Sequence, residues 1–252
     1  MMQLDPRASA AGVRLIAHDA VGSTNAEALT LARHGERGPL WLTANRQSAG
    51  KGRRGRPWVS EPGNLHASLL LTDPAGPEHW PELSFVAALA IHDALVEISA
   101  TLKSKLAIKW PNDLLLAGEK VSGILLEAEG EAVALGIGVN CTKHPGEVDF
   151  PATDLAVHGV LAAPETVFGV LSAKMLGRVA QWNAGEGFST VRADWLARAA
   201  GLGGDIVVRL PDRELVGTFE TLDRMGRLML RLPAGTLEAI TVGEVFAARG
   251  TA

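Results

Sequence analysis

Three short apolar runs lie close together between residues 106 and 139, and they constrain the fold more than any other feature of the chain. They are rich in Leu, Ile and Val and cover residues 106–110, 121–127 and 132–139. Runs of this kind predict strands, and the Gly118-Glu119 dipeptide predicts a turn. Parallel neighbours need a crossover of about a dozen or more residues, so these closely spaced strands are expected to form antiparallel hairpins.

The rest of the chain before Gly201 carries both strand and helix signals. Strands are predicted at residues 13–18, 40–44 and 66–72, and helices at residues 25–33, 165–182 and 190–199. A further helix is predicted to begin at Pro81, because apolar residues then recur at intervals of about three and four positions. These residues are Phe85, Val86, Leu89, Ala90 and Val96. The apolar stripe is expected to pack on the sheet.

After the glycine-rich stretch Gly201–Gly204 the pattern changes to short alternating strands. They are predicted at residues 205–210, 214–222, 227–232 and 237–245. Pro211-Asp212 and Met225-Gly226 supply turns between them. The pattern predicts a small β-barrel, and therefore two domains, residues 1–202 and residues 203–252.

Composition excludes several classes of protein. The 252 residues carry a formal net charge of −4, which argues against a surface that coats nucleic acid. The single cysteine, Cys141, excludes an internal disulfide and a multi-cysteine metal site, and it fits a reducing cytoplasm. The sequence has no apolar signal segment and no uninterrupted apolar stretch of membrane-spanning length. We therefore expect a cytoplasmic protein without membrane contact.

The run GKGRRGR, residues 50–56, places four cationic side chains among three glycines. Glycine gives the backbone access to positive φ angles, and guanidinium groups bind phosphate oxygens in pairs. The run therefore predicts a phosphate-binding loop, without the Walker or the GxGxxG spacing. Two other interpretations stay open, which are a nucleic-acid-binding patch and a solvated loop without a ligand.

Polar residues also stand where predicted elements begin or end. In the triplet Ser23-Thr24-Asn25, Thr24 has the capping-box spacing to Glu27, and free backbone N–H groups at a helix start can also bind a ligand. Asn140 ends the strand of the segment GIGVN. Its amide offers a donor and an acceptor together, as the edge of adenine requires, although asparagine at a strand end is often only a turn former.

The segment from Lys109 to Lys120 is predicted to leave one strand and to return as another. Pro111 prevents the first strand from continuing, and Asn112 and Asp113 are expected to project from the turn. Lys120 would begin the returning strand at the same end of the hairpin. The Pro-Asn-Asp sequence by itself is equally compatible with an ordinary turn and a solvated lysine.

The order of these segments is far more specific than any one of them. STN, QSAGKGRRGRPW, KWPND, EKVSGIL and GIGVN follow one another along the chain, and in this order the sequence resembles the biotin protein ligase family, the biotin–acetyl-CoA-carboxylase ligases. The resemblance implies an α+β fold. Its catalytic domain, of the class II aminoacyl-tRNA synthetase/biotin ligase type, is a mixed, largely antiparallel sheet packed with helices, and a small SH3-like β-barrel follows.

The resemblance also implies an activity. The family uses ATP and Mg²⁺ to join the biotin carboxylate to AMP, and then passes the acyl group to one lysine of a biotin carboxyl carrier domain. Only about twenty residues precede Ser23, so the form without an N-terminal DNA-binding domain is expected, and no DNA partner. A monomer or weak homodimer is expected.

By the same resemblance each motif has a role. Binding of biotin is implied for Ser23, Thr24, Asn25, Gln47, Lys51, Gly52, Arg53 and Lys120, the first four at the ureido ring. Binding of ATP and of the adenylate is implied for Arg53, Arg54, Arg56, Trp58, Lys109, Asn112, Asp113 and Asn140, with Trp58 on the adenine ring. Lys120 and Arg53 are the implied catalytic residues. Asp113 is an implied weak ligand of a magnesium ion that the phosphates mostly hold. Lys51 stands where the family usually has arginine, which keeps the charge without the planar fork.

Two alternative functions are distinguishable from this one. Lipoate ligases and transferases share the catalytic fold, but the chain has glycine-spaced arginines and no RRxSGGG-like segment. A nucleic-acid-binding module would use the cationic run and the C-terminal barrel. The acidic net charge and the lack of aromatic residues within the run speak against that function.

Overall fold

The computed structural model describes residues 1–146 and 150–247, so residues 248–252 of the predicted second domain lie outside the described residues. The helices are α1 (Pro6–Ala10), α2 (Thr24–Arg33), α3 (Leu83–Ile98), α4 (Pro164–Trp182) and α5 (Phe188–Leu196). The strands of the first sheet are β1 (Arg14–Val21), β2 (Leu40–Gln47), β3 (Leu65–Thr72), β4 (Leu106–Lys109), β5 (Asp113–Leu116), β6 (Glu119–Glu129) and β7 (Ala132–Val139). Within the described ranges, no helix combines the length and the apolar character that crossing a bilayer requires.

The seven strands form one sheet in the order β1-β2-β3-β7-β6-β5-β4. β1 and β2 pair in parallel, and α2 forms the crossover that parallel pairing requires. All the other neighbouring strands pair antiparallel. The mixed, largely antiparallel sheet and the hairpins expected between residues 106 and 139 are thus confirmed.

Strand β7, with the sequence AVALGIGV, separates the two faces of the sheet. Its larger residues are buried in the main core: Val133, Leu135, Ile137 and Val139. Successive side chains of a strand point to opposite faces, so the small residues between them point the other way. Ala132 and Ala134 lie in a second core with Ala28 of α2. The next residues of the same row are Gly136, which lies under Asn25 at the start of α2, and Gly138, which lies under Trp58.

Helix α3 lies against the sheet, as its apolar stripe predicted. Helices α4 and α5 pack on α3, so it is enclosed and buries side chains around most of its circumference. Helix α2 covers part of the opposite face. The remainder of that face, at the ends of β6 and β7, carries the site.

The segment between Lys109 and Lys120 contains a strand that the sequence interpretation missed. Strand β5 pairs with both β4 and β6, so the region forms two hairpins instead of one. Asp113 is therefore the first residue of a strand and not a turn residue, and Lys120 is the second residue of β6. A strand of four residues is too short for its alternation to be recognised. The short helix α1 was also not predicted.

The C-terminal residues form a five-stranded antiparallel sheet in the order β11-β10-β9-β8-β12. Its strands are β8 (Asp205–Arg209), β9 (Glu214–Leu222), β10 (Leu228–Arg231), β11 (Leu237–Ile240) and β12 (Glu244–Ala247). The single strand predicted at residues 237–245 is wrong. β11 pairs with β10 and β12 pairs with β8, so the chain must cross from one edge of the sheet to the other.

The small sheet is fixed against the part of the chain that forms the large sheet. The indole Nε1 of Trp110, next to β4, donates a hydrogen bond of 3.1 Å to the carbonyl of Gly226 between β9 and β10. The apolar residues of both sheets belong to one continuous core. This packing places β12 beside the site. The domain boundary at residues 202 and 203 stays a prediction.

Candidate active site

A cavity of about 390 Å³ opens on the exposed part of the large sheet. Its walls are the N-terminus of α2, the loop of residues 50–58, the β4–β5 turn and the first residues of β12. Of the site residues predicted from the sequence, all but Arg54 line it. Its volume lies in the range of small-molecule sites.

Three glycines form the floor of this cavity. Gly123 of β6 pairs with Gly138 of β7, and Gly136 lies two residues before Gly138. A Cβ atom on Gly138 would lie 2.5 Å from ring carbons of Trp58, and one on Gly136 would lie 2.6 Å from Oδ1 of Asn25. Side chains from the walls therefore rest directly on the backbone of the sheet, and any larger residue would fill the space.

The N-terminus of α2 and the end of β2 form an uncharged polar pocket. The capping box predicted for Thr24 and Glu27 is wrong, because the N-cap residue is Ser23 and not Thr24. The hydroxyl of Ser23 accepts a hydrogen bond of 3.5 Å from the backbone N–H of Ala26. Thr24 is thereby free for another contact. Its backbone N–H and its hydroxyl both donate to Oε1 of Gln47, at 2.8 and 3.1 Å. The structure thus brings Gln47 to the triplet.

Asn25 is held rigidly in the same pocket. Its amide nitrogen donates to the carbonyl of Leu125 at 3.1 Å and to Oε2 of Glu127 at 2.9 Å. The hydroxyl of Ser68 lies 2.6 Å from Oδ1 of Asn25 and 2.7 Å from Oγ1 of Thr24. The pocket therefore presents donors and acceptors whose orientations are fixed before a ligand arrives.

The cationic run forms a tight hairpin over the cavity. Gly52 N–H donates to the carbonyl of Arg56 at 2.7 Å, and Lys51 pairs with Pro57 in an isolated antiparallel bridge. At the tip, Arg54 and Gly55 both have positive φ angles, of 59° and 73°. The tip directs Arg53 toward the cavity, where its Nη1 donates to Oδ1 of Asn112 at 3.1 Å.

Two lysines and one carboxylate meet beside the turn of the β4–β5 hairpin. Oδ1 of Asp113 lies 2.6 Å from Nζ of Lys120, and Oδ2 lies 3.1 Å from Nζ of Lys109. Asp113 and Lys109 are each 8% exposed. Asp113 accordingly orients both ammonium groups at the cavity wall.

The electrostatics of this cluster follow from burial and pairing. Burial opposes ionisation of Asp113, but Lys120 and Lys109 outweigh it and hold the pKa of this carboxyl below its ordinary value. Burial lowers the pKa of Lys109, and the charge of Asp113 partly offsets that effect. The cluster carries two cations for one anion, so a net positive charge faces the cavity and favours a second anion there.

The lining residues that were not found from the sequence include Phe150, Glu244 and Phe246. The ring centroid of Phe150 lies 3.7 Å from Nζ of Lys109, and Phe246 lies 6.2 Å from Phe150, centroid to centroid. Glu244 and Phe246 belong to β12 of the small sheet. No local pattern links them to the motifs, because only the packing of the two sheets brings them together.

The structure gives Trp58 and Asn140 positions in the cavity without testing their predicted contacts with adenine. Nζ of Lys120 lies 5.4 Å from the ring centroid of Trp58, within cation–π range. The indole Nε1 of Trp58 is buried without a hydrogen-bond partner among the described residues. The amide nitrogen of Asn140 donates to the carbonyl of Thr153 at 3.0 Å, so the amide group is oriented.

Asp113 does not fit the part of a magnesium ligand. Its two oxygens are occupied by the ammonium groups of Lys109 and Lys120, which repel a metal cation. In the part of the chain that the structure describes, no three His, Cys, Asp or Glu side chains are grouped to hold a metal ion. Among the described residues, the site therefore supplies no set of carboxylates for a divalent cation.

Cys141, directly after Asn140, is expected to be chemically inert. It is fully buried, and burial raises the pKa of its thiol to about 12. Because the thiolate is the reactive form, the folded protein should not react with iodoacetamide at about pH 8. Mass spectrometry before and after denaturation tests this expectation, since only the denatured chain should gain the adduct. Rapid labelling of the folded chain would contradict it.

Two family models match the sequence. The model described as "Biotin/lipoate A/B protein ligase family" matches residues 23–143, a range that contains all the site residues predicted from the sequence. The model described as "Biotin protein ligase C terminal domain" matches residues 201–247, which include the small sheet.

Similar proteins extend over most of the chain. The biotin–[acetyl-CoA-carboxylase] ligase of Paracoccus denitrificans is 46% identical over 235 residues, covering 89% of this chain and 96% of that protein. A protein of the same name from Mycobacterium tuberculosis is 34% identical over 233 residues, covering 89% and 85%. The structure superposes on a biotin protein ligase from Aquifex aeolicus, in complex with biotin and ATP, with a TM-score of 0.80 and 27% identity. That superposition covers 94% of this chain and 99% of the other.

Proposed function

This chain belongs to the biotin protein ligase family, and from that premise we propose that it activates biotin with ATP and biotinylates a carrier protein. In the first step the biotin carboxylate attacks the α-phosphate of ATP, which gives biotinyl-5′-AMP and pyrophosphate. In the second step a lysine amine of a biotin carboxyl carrier domain attacks the acyl carbon, and AMP leaves. The names of the relatives from Paracoccus denitrificans and Mycobacterium tuberculosis support acetyl-CoA carboxylase as the enzyme that carries this domain.

One observation carries the proposal. A single cavity has an uncharged, preoriented hydrogen-bonding pocket at one end and a net positive cluster at the other, with a glycine floor between them. Biotin has the complementary shape and polarity, because a neutral ureido ring is joined by an apolar chain to a carboxylate. The pocket made by Thr24, Asn25 and Gln47 offers the mixed donors and acceptors that a ureido carbonyl and two N–H groups need.

The positive cluster addresses the central difficulty of the first step. The carboxylate and the α-phosphate are both anions, and they must approach within bonding distance. Lys120, oriented by Asp113, is proposed to lie beside both groups, and Arg53 to stabilise charge on the phosphate. Because these cations are already in place, little reorganisation is required when charge shifts in the transition state. Positioning of the two substrates supplies the remaining acceleration, without a covalent enzyme intermediate.

Trp58, Asn140, Lys109 and Asn112 are proposed to complete the nucleotide site. Asn140 presents an oriented amide for the edge of adenine, and Trp58 supplies an aromatic face. Magnesium is proposed to arrive with ATP and to be held by phosphate oxygens and water, since Asp113 is engaged by two lysines. A cytoplasmic location is part of the proposal, and a single buried thiol is compatible with it. The monomeric or weakly dimeric state and the absence of a DNA partner stay predictions.

Biotin-dependent exchange of pyrophosphate into ATP tests the proposed function. The purified chain is assayed with magnesium and with biotin, with lipoate, or with neither acid. Exchange that requires biotin would support the adenylating step, and transfer to an added carrier domain would support the second step. Exchange with lipoate alone would reassign the chain to lipoate attachment. The absence of exchange with either acid would contradict an adenylating activity.

The Arg53→Gly variant is expected to lose affinity for the adenylate more than affinity for biotin. The guanidinium contacts Asn112, at the end of the cavity where the phosphates are proposed to bind, and it makes no hydrogen bond to the pocket of Thr24 and Gln47. A charge-assisted hydrogen bond contributes about 1.5–3 kcal/mol, which corresponds to a loss of about 10- to 150-fold for a stable adenylate analogue. Calorimetry with biotin and with the analogue measures both affinities. Equal losses for the two ligands would contradict the assignment.

A further inference from the structure

The three arginines of the cationic hairpin all contact Gly243 or Glu244, at the start of β12. The guanidinium of Arg56 donates to Oε1 of Glu244, and Nη1 of Arg54 lies 3.9 Å from the same oxygen. Nη1 of Arg53 lies 3.4 Å from the carbonyl oxygen of Gly243. The loop that is proposed to bind phosphates is therefore bound to acceptor oxygens at the start of β12.

Glu244 contacts two guanidinium groups of the kind that bind phosphate oxygens. Its carboxylate faces two guanidinium groups and lines the cavity, and only 16% of its side chain is exposed. The side chains of Arg54 and Arg56 are 45% and 51% exposed, so water reaches the cationic side of both pairs. Ion pairs that are exposed in this way are weak and readily exchanged. A pyrophosphate group, which carries more charge and more acceptor oxygens, binds the same guanidinium groups more strongly.

We propose that Glu244 is an internal competitor of the phosphates, which holds Arg54 and Arg56 until ATP or pyrophosphate displaces it. The proposal rests on the proposed function, because it concerns the nucleotide end of that site. Glu244 is here a positioning residue that acts through the arginines. Its carboxylate lowers the affinity for phosphates and keeps the hairpin attached to the small sheet until a phosphate binds. Binding of the polyphosphate then exchanges one anionic partner for another and releases the hairpin from β12.

The proposal predicts an effect that is specific for polyphosphates. Glu244→Gln keeps the shape of the side chain and removes the competing charge. The affinity for inorganic pyrophosphate is expected to rise by about two- to fivefold, the upper range of an exposed ion pair. The affinity for biotin should remain unchanged, because the ureido pocket at Thr24 and Gln47 does not touch β12. The gain should shrink at high salt, where exposed charges are screened.

The matched control is Glu238→Gln. Glu238 lies on β11 of the same sheet and pairs with Arg213, 2.9 Å away, and neither residue lines the cavity. Isothermal titration calorimetry with inorganic pyrophosphate compares the wild type and both variants, with circular dichroism as the check of the fold. Tighter binding by Glu244→Gln alone supports the proposal. Unchanged or weaker binding by a folded Glu244→Gln protein would overturn it.

A second variant separates competition from simple repulsion. In an Arg56→Gln background, Glu244→Gln should lose most of its effect, because the carboxylate no longer withholds that guanidinium. An equal gain in both backgrounds would assign the effect to long-range repulsion and overturn the competition. The proposed function itself is tested first with the wild-type chain. If the wild-type chain bound neither ATP nor pyrophosphate, that result would contradict the proposed function before any variant is compared.

Discussion

Replacing Lys120 by glutamine is expected to lower the rate of biotin-dependent ATP–pyrophosphate exchange by about 100- to 1000-fold, the loss seen when one preorganised charge donor is removed. The ammonium group of Lys120 lies 2.6 Å from Asp113 and faces the cavity, where the two anionic substrates are proposed to meet. The variant should still bind biotin through the ureido pocket. The maximal rate is therefore expected to fall more than the affinity for biotin, and exchange kinetics with calorimetry separate the two.

The fold of this variant is expected to survive. Asp113 keeps its contact of 3.1 Å with Lys109, so the buried carboxylate is not left unpaired. Lys103→Gln is the matched control, because Lys103 is exposed after α3 and does not line the cavity. The control should exchange pyrophosphate at the wild-type rate. A folded Lys120→Gln protein that loses less than about tenfold in rate would remove Lys120 from the catalytic role.

Replacing Gly138 by valine is expected to lower the affinity for biotin by about 10- to 100-fold. The first carbon of the new side chain would already lie 2.5 Å from ring carbons of Trp58, and two methyl groups would extend further into the cavity. The change should leave the sheet intact, since valine is favoured in strands. Calorimetric titration with biotin measures the loss, and Gly138→Ala should give a smaller loss because it adds a single carbon.

The control for the glycine floor is Gly177→Ala in helix α4. No atom lies within 4 Å of the position where its Cβ would be, and the residue is exposed. This variant should bind biotin normally and be more stable by about 0.5–1 kcal/mol, because glycine is a poor residue inside a helix. If Gly138→Val bound biotin as tightly as the wild type, the cavity above β6 and β7 could not be the biotin site.

The sequence located most regular elements because their signals are local. The apolar stripe that begins near Pro81 predicted a helix on the sheet, and α3 buries that stripe. The failures have equally local causes. Strand β5 is too short for an alternation of side chains to be recognised. The strands β11 and β12 follow each other so closely that the sequence predicted a single strand.

The motifs also determined which chemical groups the site would contain, but not how they meet. A pattern of neighbouring residues carries no information on contacts between distant segments. Gln47 reaches Thr24 because β2 runs parallel to β1, and this pairing depends on the crossover through α2. Asp113 was read as a turn residue, and only the additional hairpin placed it between Lys109 and Lys120.

The contact between the cationic hairpin and the small sheet is the clearest feature that only the tertiary structure decided. Arg56 and Glu244 are 188 residues apart. Nothing in the sequence around either residue predicts a contact with the other. They meet because one apolar core continues from the large sheet into the small one and fixes β12 at the rim of the cavity. The sequence thus determined the elements and the chemistry of the loop, because both are written in local periodicity and composition. The partner of the loop was decided only by the packing of the two sheets, since burial of apolar surface sets their relative position without regard to distance along the chain.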